Sequence, residues 1–72
     1  MTTLEMLELR VETTKGQILF LQDRLKWRER LIEKDSDITA INRLRDVIER
    51  AQGKLQRYQA DLDQERARLA GL

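Results

Sequence analysis

Apolar residues recur along the first half of the chain at alternating steps of three and four. They begin at Leu4 and reach Ile32, with Thr14 and Arg28 as the polar members of the row. This spacing keeps one side of an α-helix apolar and is typical of a coiled-coil seam. We therefore expect a first helix over about residues 3–34. Thr2 or Thr3 is suited to cap its start, and Glu5 falls in its first turn, where the helix dipole favours a carboxylate.

A second apolar row with the same spacing begins at Ile41 and runs to the end of the chain. The step from Ile32 to Ile41 is nine residues, whereas a continuous coiled coil readily absorbs insertions of three or four. Residues 35–37 lie between the rows and read Asp-Ser-Asp, all suited to a helix N-cap. We expect a turn at about 35–37 and a second helix at about 38–71. The alternative, one continuous helix in a parallel dimer, requires an awkward phase jump.

The two rows predict an all-α fold, an antiparallel two-helix hairpin of the coiled-coil type, formed by residues 1–72 as a single unit. An alignment that places Leu7 opposite Leu69 and Ile32 opposite Leu44 fills every layer between the helices. The predicted seam consists of Leu4, Leu7, Val11, Ile18, Leu21, Leu25, Ile32, Ile41, Leu44, Ile48, Leu55, Tyr58, Leu62 and Leu69.

A second apolar stripe lies on the first helix, roughly 90–130° around its axis from the seam. Met6, Phe20 and Trp27 fall on a seven-residue repeat, and Leu31 follows Trp27 by one turn. One partner helix cannot cover both stripes, so we predict that these four residues form an interface with another chain. A homodimer that makes a four-helix bundle is the favoured form, and a groove or helix on a different protein is the alternative.

Composition agrees with long helices and excludes several chemistries. Charged residues make up 38% of the chain, aromatics 4%, and proline is absent. Without cysteine or histidine there is no disulfide, no thiolate nucleophile and none of the commonest metal ligand. No glycine-rich phosphate loop is present, and the carboxylates alternate with basic residues. We expect no enzymatic activity, no cofactor, no metal site and no small-molecule substrate.

Nucleic-acid binding is the alternative function. Arg43, Arg50 and Arg57 repeat every seven residues on the second helix and could follow phosphates along one face. Residues 24–57, the half nearest the turn, hold ten basic and six acidic side chains. No helix-turn-helix or other recognition motif accompanies this row, so nucleic acid ranks below protein as a partner.

The function class that remains is a protein-binding or assembly module. In size and outline the chain is similar to small helical-hairpin co-chaperones of bacterial secretion systems and to small phage or plasmid accessory proteins, although no family motif supports the likeness. An adaptor, a co-chaperone or a structural subunit is the expected role. The longest apolar run, from Ile18 to Leu21, is too short to span a bilayer, and no secretory signal is visible. A cytoplasmic location is therefore expected.

Overall fold

The chain folds into two α-helices that pack side by side as a hairpin. The computed structural model describes residues 1–32 and 35–72, with α1 at Thr3–Arg30 and α2 at Asp35–Ala70. The hairpin measures 58 × 16 × 14 Å. An all-helical hairpin is what the two apolar rows predict, and the structure confirms it.

Helix α1 begins at a reciprocal cap between Thr2 and Glu5. The hydroxyl of Thr2 accepts a hydrogen bond from the Glu5 backbone N–H at 3.2 Å and donates one to the Glu5 carboxylate at 3.1 Å. The hydroxyl thus satisfies one of the backbone donors left unpaired at a helix start. Of the two threonines that the sequence offered as caps, Thr2 is the one used.

The connection between the helices comes earlier than the sequence predicts. Helix α1 ends at Arg30, where the N–H of Leu31 donates to the carbonyl of Arg28 at 3.1 Å. Arg28 and Arg30 lie in this last turn, where cations suit the negative end of the helix dipole. The predicted helical residues 33–34 lie outside the described part of the chain.

The predicted turn at 35–37 is wrong, because α2 already begins at Asp35. Aspartate suits both an N-cap and the first turn of a helix, so the sequence alone did not separate these placements. At its other end α2 reaches Ala70, one residue short of the predicted boundary.

The core is one row of side chains between the helices. Leu7 and Val11 of α1 form a buried cluster with Leu62 of α2, so the start of α1 meets the end of α2 and the hairpin is antiparallel. The other seam residues that are buried or half-buried are Leu4, Ile18, Leu21, Leu25, Ile41, Leu44, Ile48, Leu55 and Tyr58.

Two predicted seam residues are exposed instead, Ile32 at 47% and Leu69 at 39%. Ile32 lies beyond the last residue of α1, so helical spacing no longer directs it toward α2. Leu69 lies in the last turn of α2, next to the start of α1, where little is available to cover it. The core is therefore shorter at both ends than the apolar rows predict.

The alignment of the helices differs from the predicted one. Arg66 pairs with Glu8 at 3.8 Å and Arg45 pairs with Glu29 at 3.0 Å. The predicted alignment would have placed Arg68 opposite Glu8 and Val47 opposite Glu29. Both observed partners lie two residues earlier on α2. In the core, Leu62 clusters with Leu7 and Val11, whereas the predicted alignment placed it opposite Thr14, so the seam is displaced in the same direction.

Thr14 is the polar member of the buried seam. Its hydroxyl donates a hydrogen bond of 2.7 Å to the carbonyl of Arg10, one turn earlier in α1. The hydroxyl is therefore satisfied within its own helix, which removes most of the cost of burying it.

Candidate partner-binding surface

The predicted interface residues all lie on the outer side of the hairpin. Phe20 is 65% exposed, Trp27 59%, Leu31 64% and Met6 43%. None of them belongs to the buried cluster between the helices. Together they form an outward apolar stripe along α1 and just past its end, which we call the α1 stripe.

Leu9 also belongs to this surface, and the sequence analysis missed it. It is 55% exposed and precedes Trp27 by about five full turns, which places both on the same line of the helix. The signal was present in the three-residue step from Met6 to Leu9, but the search for a strict seven-residue repeat passed over it. Leu19 is 66% exposed but lies roughly 80–140° around α1 from these residues, so it is outside the α1 stripe.

The arginine next to Trp27 covers part of its ring. The guanidinium carbon of Arg30 lies 6.0 Å from the ring centroid of Trp27, within the range of a cation–π contact. The contact comes from a residue of the same helix, three positions later, and the indole still remains more than half exposed. The cation–π contact therefore leaves much of the Trp27 ring available to a partner chain.

Three neighbouring depressions with shared lining residues form a groove between α1 and α2. Its central part, about 570 Å³, is lined by Leu9 and Thr13 from α1 and by Val47 and Arg50 from α2. Toward the turn it continues past Val47 and Arg28 to a depression that Trp27 and Leu31 help to line. Leu9, Trp27 and Leu31 of the α1 stripe therefore line one bank of this groove, whereas Met6 and Phe20 lie outside its lining.

The groove is strongly basic. Among the described residues that line it, six are basic and one, Asp37, is acidic. Arg10 lies over the ring of Tyr58, 5.9 Å from its centroid. With the side chains of residues 1–32 and 37–72, none of the six forms an ion pair. The six basic residues are Arg10, Arg24, Arg28, Arg43, Arg50 and Lys54.

The opposite face of the hairpin has a different character. The groove there is lined by three carboxylates and two basic residues. Its charges are partly neutralised, because Glu8 pairs with Arg66 at 3.8 Å and Glu12 with Lys15 at 3.8 Å. Positive charge without a partner is therefore concentrated on the face that also carries the α1 stripe.

The three arginines of the alternative hypothesis are exposed on α2. Arg43 and Arg50 line the basic groove, and Arg57 lies farther along the same row. The structure thus brings the proposed phosphate contacts and the α1 stripe onto one side of the molecule. The sequence analysis had treated them as belonging to separate surfaces and rival functions.

The remaining polar chemistry of the described residues is local. Arg68 donates hydrogen bonds to Glu65 at 2.6 and 3.2 Å, and these bonds lower the pKa of the Glu65 carboxyl. In residues 1–32 and 35–72 there is no cluster of carboxylates arranged to hold a metal ion. Within the same ranges, neither helix has a stretch apolar and long enough to cross a lipid bilayer.

Comparison with known proteins does not extend this description. The chain matches no protein family, no curated protein and no solved structure.

Proposed function

We propose that the protein is a non-enzymatic binding or assembly module that holds another protein chain against the α1 stripe. The observation that carries the proposal is the exposure of Phe20 and Trp27 on the outer side of α1. Aromatic residues are enriched at the centres of protein interfaces, and large apolar patches on isolated soluble chains are uncommon.

The hairpin architecture supports the same conclusion. Helix α1 buries Leu7, Val11 and Ile18 against α2 while it presents Phe20 and Trp27 to the outside. Two apolar faces on one helix require two neighbours, and α2 supplies only one of them. A further helix laid along α1 is the simplest second neighbour, as in helix-in-groove recognition.

Either a second copy of this chain or a different protein would complete the surface. Two copies joined through their α1 stripes would form a four-helix bundle, the arrangement that the sequence analysis favours. A different protein would contribute a helix without closing a bundle. Both forms bury the same aromatic side chains, so one pair of variants tests the proposal.

Phe20→Asp and Leu19→Asp make a matched pair, because the two neighbouring residues are similarly exposed but only Phe20 lies in the α1 stripe. Sedimentation equilibrium would report self-association, and Trp27 emission would report the binding of added helical peptides. We expect Phe20→Asp to weaken association and Leu19→Asp to leave it nearly unchanged. If both variants associate as the parent protein does, the α1 stripe is not the binding surface.

Nucleic-acid binding is a second candidate, supported by Arg43, Arg50 and Arg57. All three are exposed, and they form no ion pair with residues in the described part of the chain. Fluorescence anisotropy with a labelled duplex at several salt concentrations would test it. Tight binding that falls steeply with salt and is lost in Arg43→Glu with Arg50→Glu would favour this function over protein binding.

A further inference from the structure

The groove beside the α1 stripe has two chemically different banks. The α1 bank carries the apolar Leu9, Trp27 and Leu31 together with Arg10, Arg24 and Arg28. The α2 bank carries Arg43, Arg50 and Lys54, and the exposed Phe20 lies on α1 outside the lining of the groove. Between Leu9 and Leu31 the groove extends roughly 33 Å at about 1.5 Å per residue. A helix of about 22 residues has that length, so the surface suits a rod-shaped partner with one apolar and one charged edge.

The basic residues of the groove determine which charge the partner helix must carry on its polar edge. Six basic side chains face it, and none of them forms an ion pair with the side chains of residues 1–32 and 37–72. The carboxylates that neutralise basic residues elsewhere, such as Glu8 and Glu29, pair with Arg66 and Arg45, which do not line this groove. Carboxylates from outside the chain would complement the six cations.

A second copy of the chain is a poor complement for the same reason. A two-fold interface places the same patch of both subunits against itself. The basic groove of one hairpin would then face the basic groove of the other, twelve cations with two Asp37 carboxylates between them. Like-charge juxtaposition of this kind opposes association.

The apolar residues that line the groove favour a protein partner over ligands that offer only negative charge. A nucleic-acid backbone would satisfy Arg43 and Arg50 but would offer little to Leu9 and Leu31. A lipid surface is flat, whereas the apolar and basic residues here line a groove between two helices.

Building on the proposed function, we infer that the groove binds an acidic amphipathic α-helix of a different protein. The apolar face of that helix packs on the α1 stripe, and its carboxylates face the arginines of α2. This identifies the partner by chemical class and replaces the homodimer as the expected occupant.

Two synthetic peptides of about 22 residues, without tryptophan, test the inference. Both carry the same leucine face, and they differ only in whether the flanking positions are glutamate or lysine. We expect the glutamate peptide to shift Trp27 emission to the blue and to bind at least about tenfold more tightly than the lysine peptide. Added salt should reduce the difference in affinity between the two peptides.

Charge reversal on α2 supplies the decisive variant. Arg43→Glu with Arg50→Glu should weaken binding of the glutamate peptide by about tenfold or more and strengthen binding of the lysine peptide. Lys15→Glu with Arg66→Glu makes the same change in net charge on the opposite groove, and we expect no change in preference. Circular dichroism melts would show that both double variants remain folded.

The outcomes separate the inference from the proposed function. Two results would overturn the inference but still support the proposed function. One is peptide binding that depends on Phe20 without a preference for glutamate. The other is a stable homodimer that is lost in Phe20→Asp. If Phe20→Asp alters neither peptide binding nor self-association, the proposed function fails as well. Preferential binding of a DNA duplex or of anionic lipid vesicles over the glutamate peptide would also overturn the inference.

Discussion

Arg45 of α2 reaches across the hairpin and donates a hydrogen bond of 3.0 Å from Nη2 to Oε1 of Glu29 on α1. Near the other end, Arg66 pairs with Glu8 on the same side of the molecule. The two contacts mark one consistent alignment of the helices. Neither contact uses a residue that lines the basic groove, and Arg43 and Arg50 form no ion pair with the side chains that the structure describes.

A double-mutant cycle on Glu29→Gln and Arg45→Gln should give a coupling of about 0.2–1 kcal/mol in the free energy of unfolding, because both side chains are largely exposed. Urea denaturation at low salt would measure it, and the coupling should shrink at about 1 M salt. Combining Glu29→Gln with Arg43→Gln is the control and should show no coupling. A larger coupling to Arg43 than to Arg45 would mean that the helices are aligned differently.

Leu62 and Leu69 were both predicted to lie in the seam, but only Leu62 is buried. Leu62→Ala should cost about 2–5 kcal/mol because it empties the cluster with Leu7 and Val11. Leu69→Ala, at a residue 39% exposed, should cost about 1 kcal/mol or less. Since a hairpin this small has little stability in reserve, we expect Leu62→Ala to lose most of its helical circular dichroism at 25 °C. If the two variants lost the same free energy of unfolding, Leu62 would not be more deeply buried than Leu69.

The sequence was sufficient to predict the two helices, most of their buried side and the α1 stripe. Each depends on spacing within one helix, and residues such as Val11 and Ile18 repeat at steps that only one helical face satisfies. The start of α2 was not predicted correctly, because Asp35 and Asp37 suit either side of a helix boundary. The alignment was not predicted either, because both apolar rows recur every three or four residues, and a shift by one such step still brings apolar residues opposite one another.

The basic groove could not be predicted because the sequence does not determine how the two helices are aligned. Thr13 and Leu9 lie on α1, whereas Val47 and Arg50 lie on α2, and their proximity depends on how the helices are aligned and rotated. The sequence showed an apolar stripe and an arginine row as separate features. Only the packed hairpin shows that they share a face, and the acidic-helix inference rests on this arrangement.

Gly16 and Gly53 lie inside the helices with open space around them. Apart from the neighbouring backbone of its own helix, no atom lies within 4 Å of a Cβ added at either position. Gly16→Ala and Gly53→Ala should each therefore raise the free energy of unfolding by about 1 kcal/mol, through helix propensity alone. Urea denaturation of the purified protein would measure both effects.

Gly71→Ala is the control, because Gly71 follows the last residue of α2, and we expect little change. Gly16 lies on the outer side of α1, close to the line of Phe20 and Trp27. If Gly16→Ala destabilised the purified protein while Gly53→Ala stabilised it, a second copy must already pack closely against α1. That result would contradict the acidic-helix inference.

The pair formed by Glu65 and Arg68 should make stability depend on pH. Arg68 donates hydrogen bonds of 2.6 and 3.2 Å to the carboxylate, and these bonds, more than the charge attraction, hold the pKa of Glu65 below its ordinary value. The charged form is therefore favoured in the folded state. Its contribution to stability is present above the ordinary pKa of glutamate and is lost as the pH falls through the lowered folded pKa. The raised pKa of Arg68 adds nothing in this window, because the guanidinium stays charged throughout.

Arg68→Gln should move the pKa of Glu65 back toward its ordinary value and reduce the loss of stability in acid. Carboxyl ¹³C chemical shifts would give the pKa, and urea midpoints between about pH 2 and 7 would give the stability. Arg57→Gln is the matched control, because Arg57 is exposed on α2 and makes no contact with Glu65. A Glu65 pKa that is the same in the parent and in Arg68→Gln would show that the hydrogen bonds do not favour the carboxylate. In that case the acid dependence must come from other groups.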